Sequence, residues 1–204
     1  MKIRLFMPTL LISALFLIPA AKGQDNILKS GVTYYVQTAN GQPAICGVDM
    51  TTVFNDHTYR KGALSGVRSV LSWYENRGNL GILLKVSGID FDGSTPPKPY
   101  PFKIANAFLA VNGVALPATS SACEDQFSFC GGYWLPVSAA LSLALSEGTI
   151  SVGFNRQEGG LDVSLPLKSL PEITEFERYR DPNFKTFNQC MVALSERVKA
   201  HNGR

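Results

Sequence analysis

Four cysteines, Cys46, Cys123, Cys130 and Cys190, constrain this chain more than any other feature, because of the segment that precedes them. Residues 1–23 open with Lys2 and Arg4 and continue as an apolar run from Leu5 to Ala20, interrupted by Pro8, Thr9, Ser13 and Pro19. Ala21 and Gly23 then stand at −3 and −1 before Gln24. This is the pattern of a secretory signal, and the run is short for a spanning helix. The first cysteine comes well after the run, which argues against a lipid anchor. No later stretch approaches the ~18 uninterrupted apolar residues of a membrane span, so no membrane insertion is expected after cleavage. A periplasmic or secreted chain meets an oxidising space, where disulfides are the default. Three pairings are possible. Cys123 and Cys130 lie seven apart and suit a local bridge, which leaves Cys46 to reach Cys190. On the loop-entropy model the short bridge contributes roughly 2–3 kcal/mol and the long one roughly 5 kcal/mol.

The leader also explains the charge. The 204 residues carry a formal charge of +3, and Lys2, Arg4 and Lys22 account for all of it. No acid lies in the leader, so residues 24–204 are formally neutral. No run of Lys and Arg interleaves with aromatics, and nucleic acid is excluded as a partner. At 45% apolar and 17% charged residues, the chain is not disordered. Two histidines and the absence of a closely spaced cysteine pair of the CxxC type leave no metal site. No glycine-rich phosphate loop opens a helix, and no cofactor is expected.

The chain reads as mainly β. Residues 32–38 have strand composition and end at the turn signal Asn40-Gly41. Residues 64–74 alternate, a turn falls at Asn76–Asn79, and residues 80–91 form a second apolar run; together they read as a hairpin. Residues 94–101 hold four prolines and form a loop or extended connector. Strands are expected at 102–111, 149–154 and 161–167, with a turn at Gln157–Gly160. Residues 137–147 are rich in Ala and Leu and end at Gly148, which predicts one short internal helix. A C-terminal helix starts at the cap Asp181 and at Pro182, with Phe184, Phe187, Met191, Leu194 and Val198 on one stripe. The expected architecture is one β-rich domain over residues 24–204, an antiparallel β-sandwich or partial barrel with a short internal helix and a C-terminal helix.

Catalytic constellations are sparse. His57 follows Asp56, and Asp49 is near in sequence, but Ser65 falls one place too late for a nucleophile elbow. The segment around Asn55 and Asp56 reads as a polar turn before a strand. Asp90 and Asp92 bracket Phe91 and share a face if the strand continues, the arrangement that glycan hydrolysis needs; Asp92-Gly93 also ends a strand as an ordinary turn. Glu124 and Asp125 read as solvated. Three adjacent aromatic pairs, Tyr34-Tyr35, Trp73-Tyr74 and Tyr133-Trp134, place one ring on each face of a strand. Tyr35, Trp73, Tyr133 and Trp134 are the candidate binding residues, with packing in the core as their alternative role.

Residues 102–176 carry an ordered set of features. A strand and turn at residues 109–113 lead to Cys123 and Cys130, then to Gly131, Gly132, Tyr133 and Trp134. The Leu/Ala segment closed by Gly148 follows, then strand 149–154, a glycine turn, and residues 163–167. This order resembles the periplasmic family named for the invasion-associated locus B protein of certain α-proteobacteria. The resemblance implies a small exported β-sandwich without catalytic residues, linked in some members to host-cell entry. The first half departs from the pattern in holding a single cysteine, and the helix with Cys190 lies outside it.

The reading from sequence is therefore a non-catalytic binding protein of the cell envelope with an unknown protein partner, of inhibitor or immunity type. The alternatives are a cell-wall hydrolase using Asp90 with Asp92, or His57, and a carrier of a small apolar ligand. N-terminal sequencing of the exported protein should begin at Gln24; a chain that still begins at Met1 would contradict the leader.

Overall fold

A computed structural model describes residues 27–111, 114–116, 119–121, 123, 125–135, 150–166 and 182–203. The expected leader, the internal helix at 137–147, Gly148 and the cap Asp181 lie outside the described residues.

Four long strands form an antiparallel meander: β1 (Ile27–Ala39), β2 (Gln42–Asp56), β3 (Ala63–Asn76) and β4 (Asn79–Phe91). Two of the three links are two-residue turns. Asn40 and Gly41 have φ of 52° and 73°, and Arg77 and Gly78 have φ of 51° and 79°. Positive φ at both central residues matches the right-handed twist of the flanking strands, which is why such turns close hairpins. Short strands complete the layers: β5 (Pro99–Phe102), β6 (Asn106–Val111), β7 (Val114–Ala115), β8 (Thr119–Ser121), β9 (Phe129–Leu135), β10 (Ile150–Asn155) and β11 (Val163–Pro166). One sheet has the order β1-β2-β3-β4-β9-β8, with β5 pairing the far end of β4. The other has the order β11-β10-β6-β7. The protein is thus mostly β, with two antiparallel sheets and a C-terminal helix, α1 (Pro182–Asn202).

The register explains the core. Cys46, Trp73, Ile82 and Tyr133 stand side by side across four strands, followed by Val48, Leu71 and Leu84, then Met50, Ser69 and Val86. These residues are buried, whereas their sequence neighbours point to the other face, as period-2 alternation requires. The inner face is covered twice. Toward Cys46, α1 lays Phe187, Met191, Leu194 and Val198 on it, with Phe187 edge-on to Trp73 at 5.7 Å and tilted on Tyr34 at 5.2 Å. Toward Asp56, the second sheet covers it, with Phe154 against Phe54 at 6.4 Å and against Phe102 at 6.1 Å. The Tyr133 hydroxyl accepts the backbone N–H of Leu109 at 3.0 Å and ties β9 to β6.

Cys46 pairs with Cys190 and Cys123 with Cys130, at Cα separations of 5.8 and 5.5 Å. The long bridge fastens α1 to the centre of the meander. Three expectations are refined. Residues 42–56, which the sequence offered only as a polar turn at Asn55 and Asp56, form β2. The proline segment 94–101 is a loop as far as Lys98, and from Pro99 the chain pairs with β4 as a short strand, Pro99–Phe102. Residues 103–105 break the expected strand 102–111.

Replacing Cys46 and Cys190 by Ser should lower the free energy of unfolding by up to roughly 5 kcal/mol, against roughly 2–3 kcal/mol for Cys123 and Cys130. Urea unfolding of the two double variants checks the order. Burial raises the Tyr133 hydroxyl pKa, an effect larger than the opposing Leu109 hydrogen bond. Burial of the neutral hydroxyl therefore contributes fully below about pH 10, the unfolded tyrosine value, and its contribution is lost as pH rises through the higher folded value. Tyr133→Phe should flatten the alkaline fall in stability; an unchanged slope would contradict this.

Candidate functional site

Three of the polar residues singled out from sequence, Asp56, Ser65 and Asp90, converge on one buried cluster. Its centre is Arg156, which follows β10 and lies between the sheets. Arg156 Nη1 donates to Asp90 Oδ2 at 2.8 Å and Nη2 to Asp90 Oδ1 at 3.0 Å. Nη2 also reaches Asp56 Oδ2 at 2.5 Å and Ser65 Oγ at 3.1 Å. Ser65 in turn donates to Asp90 Oδ1 at 2.7 Å. The guanidinium plane sits over the Phe102 ring, 3.5 Å from its centroid. Asp56 is 1% exposed and Asp90 5%.

Pairing places these groups. Asp90 stands opposite Ser65 across β3 and β4, and β2 ends at Asp56 on the same inner face. The loop from β2 to β3 closes the cluster. Asp56 Oδ1 accepts Tyr59 N at 2.8 Å, and the Tyr59 hydroxyl donates to Leu161 O beyond β10. Arg60 Nη1 lies 3.4 Å from Asp90 Oδ1 and donates to Leu64 O at 2.6 Å. Arg60 Nη2 donates to Phe91 O at 3.1 Å and to the Tyr100 hydroxyl at 3.2 Å. Two aspartates and two arginines thus neutralise each other in a largely buried space. Among the described residues, Arg156 Nε and Asn155 Oδ1 are buried without a hydrogen-bond partner.

The proposed catalytic pairs do not assemble. Asp90 and Asp92 part at the end of β4: Asp90 turns inward to Arg156, while Asp92 is half-buried beyond the strand and faces its own loop. Asp92 Oδ1 accepts Lys98 N at 2.8 Å and Ser94 N at 3.1 Å, and organises the proline loop. The Lys98 hydrogen bond, followed by that of the Ser94 hydroxyl, holds the Asp92 carboxyl below its ordinary range. His57 is exposed in the loop, whereas Asp56 beside it faces the core, so they form no catalytic pair. Asn55 and Asp56 do not form the expected polar turn: they end β2, and its register turns Asp56 inward. Asp49 lies on the outer face, in a fork with Arg68 Nε at 3.0 Å. Asp125 holds its own turn through Ser128 and Phe127 N.

The aromatic candidates divide by face. Trp73 is 2% exposed and Tyr133 1%, and both are core residues rather than binding residues. Tyr35, Tyr74 and Trp134 point outward. The Tyr35 ring lies over Gly47 and its hydroxyl meets Ser72 Oγ at 2.7 Å, so the ring bridges from β1 to β3. The Tyr74 ring lies over Gly81 and meets Trp134 edge-on at 5.8 Å. A side chain at Gly47 or Gly81 would collide with these rings. Trp134 remains 52% exposed. Ile45, Val70 and Leu83, all half-buried, fill the face between the rings.

Arg156 escaped sequence reasoning because an arginine between a strand and a turn is commonplace. Tyr74 escaped as the partner of a residue that was chosen. Arg156→Met leaves buried Asp56 without its counter-ion and Asp90 with Arg60 alone, and should cost about 3–5 kcal/mol of stability. Adding Asp56→Leu and Asp90→Leu should restore most of it, as measured by urea unfolding; an Arg156→Met variant as stable as the parent would contradict the clamp.

No helix among the described residues is long and apolar enough to cross a membrane. The chain matches no protein-family model, no curated protein and no solved structure.

Proposed function

We propose that this is an exported, non-catalytic binding protein of the periplasm or the cell exterior, and that its partner is another protein, met on the outer face of the long sheet. The observation that carries this reading is the preset aromatic row of Tyr35, Tyr74 and Trp134. Two of the rings are fixed over glycines before any partner arrives. Rings already held in place lose little freedom on binding, which is the main cost of recruiting large side chains to an interface. Tyr and Trp are also the types that carry most interface energy.

The burial of the acids supports the same reading. A catalytic carboxylate must reach the proton it moves, and Asp56 and Asp90 face arginines inside the core. Two disulfides keep the face rigid in an oxidising space. The ordered features of residues 102–176 fit an envelope role, and inhibition of an envelope-degrading enzyme is one form it would take.

The test pairs binding with activity. A partner retained from envelope extract or from rival-cell effectors should be lost when Tyr35→Ala is combined with Leu83→Arg, while the disulfides and the circular dichroism spectrum are unchanged. Clearing of peptidoglycan that disappears with Asp92→Ala or His57→Ala would overturn the proposal.

A further inference from the structure

One end of the long sheet differs from the rest of the outer face. There the β3–β4 turn, Asn76 to Asn79, meets the last turn of α1. Asn202 Nδ2 donates to Gly78 O at 2.9 Å, and a Cβ at Gly78 would stand 2.5 Å from the His201 ring. Glu75 accepts Gly78 N at 2.8 Å, so its carboxylate is committed to the turn. Two open hollows flank this junction. The larger, about 370 Å³, is lined by Trp134, Asn76, Arg77 and Asn79. The smaller, about 250 Å³, is lined by Glu75, Arg197, Ala200 and His201.

The larger hollow contains a cation and an exposed indole but no acid. Among the described residues, neither Arg77 nor Arg197 makes an ion pair, whereas Arg60, Arg68 and Arg156 each do. Lys199 is matched by Glu196, and with His201 it offsets the negative end of the helix. This end is therefore locally positive on a chain that is neutral beyond its leader. Arg77 is also placed at a price in backbone conformation, since its φ of 51° lies in the left-handed region that glycine and asparagine occupy more readily. Trp and Arg are the residue types most often found at the energetic centre of protein interfaces, and carboxylates pair with a guanidinium fork in two parallel hydrogen bonds.

We infer that the partner docks here through an acidic polypeptide segment. An Asp or Glu carboxylate of that segment is held by Arg77, with the Asn76 and Asn79 amides beside it. A neighbouring apolar side chain lies against Trp134. Arg197 in the adjoining hollow adds long-range attraction for the same segment. This inference rests on the protein-binding reading and names the chemistry of the partner at one end of that face.

The test uses the full disulfide-bonded chain and a displayed library of random linear peptides as the probe. Enriched peptides should pair Asp or Glu with an adjacent aliphatic or aromatic residue. Trp134→Ala and Arg77→Asn should each weaken the selected peptides by about tenfold or more. Arg77→Asn removes the charge at a position where asparagine is well tolerated, so the loss is not one of folding. Raising the salt should weaken the parent severalfold and the Arg77→Asn variant less. Leu161→Ser, at an exposed position beyond β10 and away from this face, should leave the peptides bound. A neutral or basic consensus, no enrichment, or indifference to Arg77→Asn overturns the inference. Peptides lost only with Leu83→Arg, in the middle of the face, would keep the docking face and overturn this end of it. Selective binding of acidic oligosaccharides in place of peptides would overturn both.

Discussion

The structure depends on one buried contact: the guanidinium of Arg156 gripping Asp90 with two hydrogen bonds and Asp56 with a third. Arg156 comes from the small sheet, and both acids come from the long one. Apolar packing alone is tolerant of small slides between sheets, because aliphatic contacts are not directional. A fork between fixed carboxylates is directional and admits one alignment. Such a cluster adds little net stability, since burying four charged groups costs much of what their attraction returns. Its contribution is to set where the small sheet sits, and thereby where Phe154 meets Phe54 and Phe102.

The rest of the inner face is then left to α1, and the Cys46–Cys190 bridge holds the helix there. One half of the inner face is closed by a sheet and the other by a helix, whereas among the described residues no element lies on the outer face. Its composition follows from the register. Glycines at 47 and 81 make shallow gaps that Tyr35 and Tyr74 bridge, and Trp134 stands at the end of the second. The same alternation that buries Trp73 and Tyr133 therefore exposes Tyr74 and Trp134.

Much of this was legible in the sequence. The turn at Asn40 and Gly41 and the β3–β4 hairpin follow from local chemistry. The helix from Pro182 follows from a stripe that repeats every three to four residues. Both disulfides follow from spacing within an oxidised chain. The strand β2 was hidden because Pro43, Gly47, Asp49, Asn55 and Asp56 all punctuate it, and tertiary pairing on both edges overrides their weak strand preference. The charge cluster was hidden for a different reason. Asp56, Asp90 and Arg156 are far apart in sequence, and nothing local distinguishes an inward aspartate from a turn former. The choice between the two rings of each aromatic pair likewise needed the register. At Tyr34-Tyr35 sequence reasoning selected the outward ring, at Trp73-Tyr74 the inward one, and at Tyr133-Trp134 both.

The central claim is that recognition occurs on the outer face while the buried acids only hold the frame. Hydroxyl-radical footprinting of aromatic side chains, with and without the retained partner, tests it most directly. The account predicts that partner binding protects Tyr35, Tyr74 and Trp134 and leaves His57 and Tyr100, beside the charge cluster, unchanged. Protection of His57 and Tyr100, with Trp134 still open to oxidation, would contradict it.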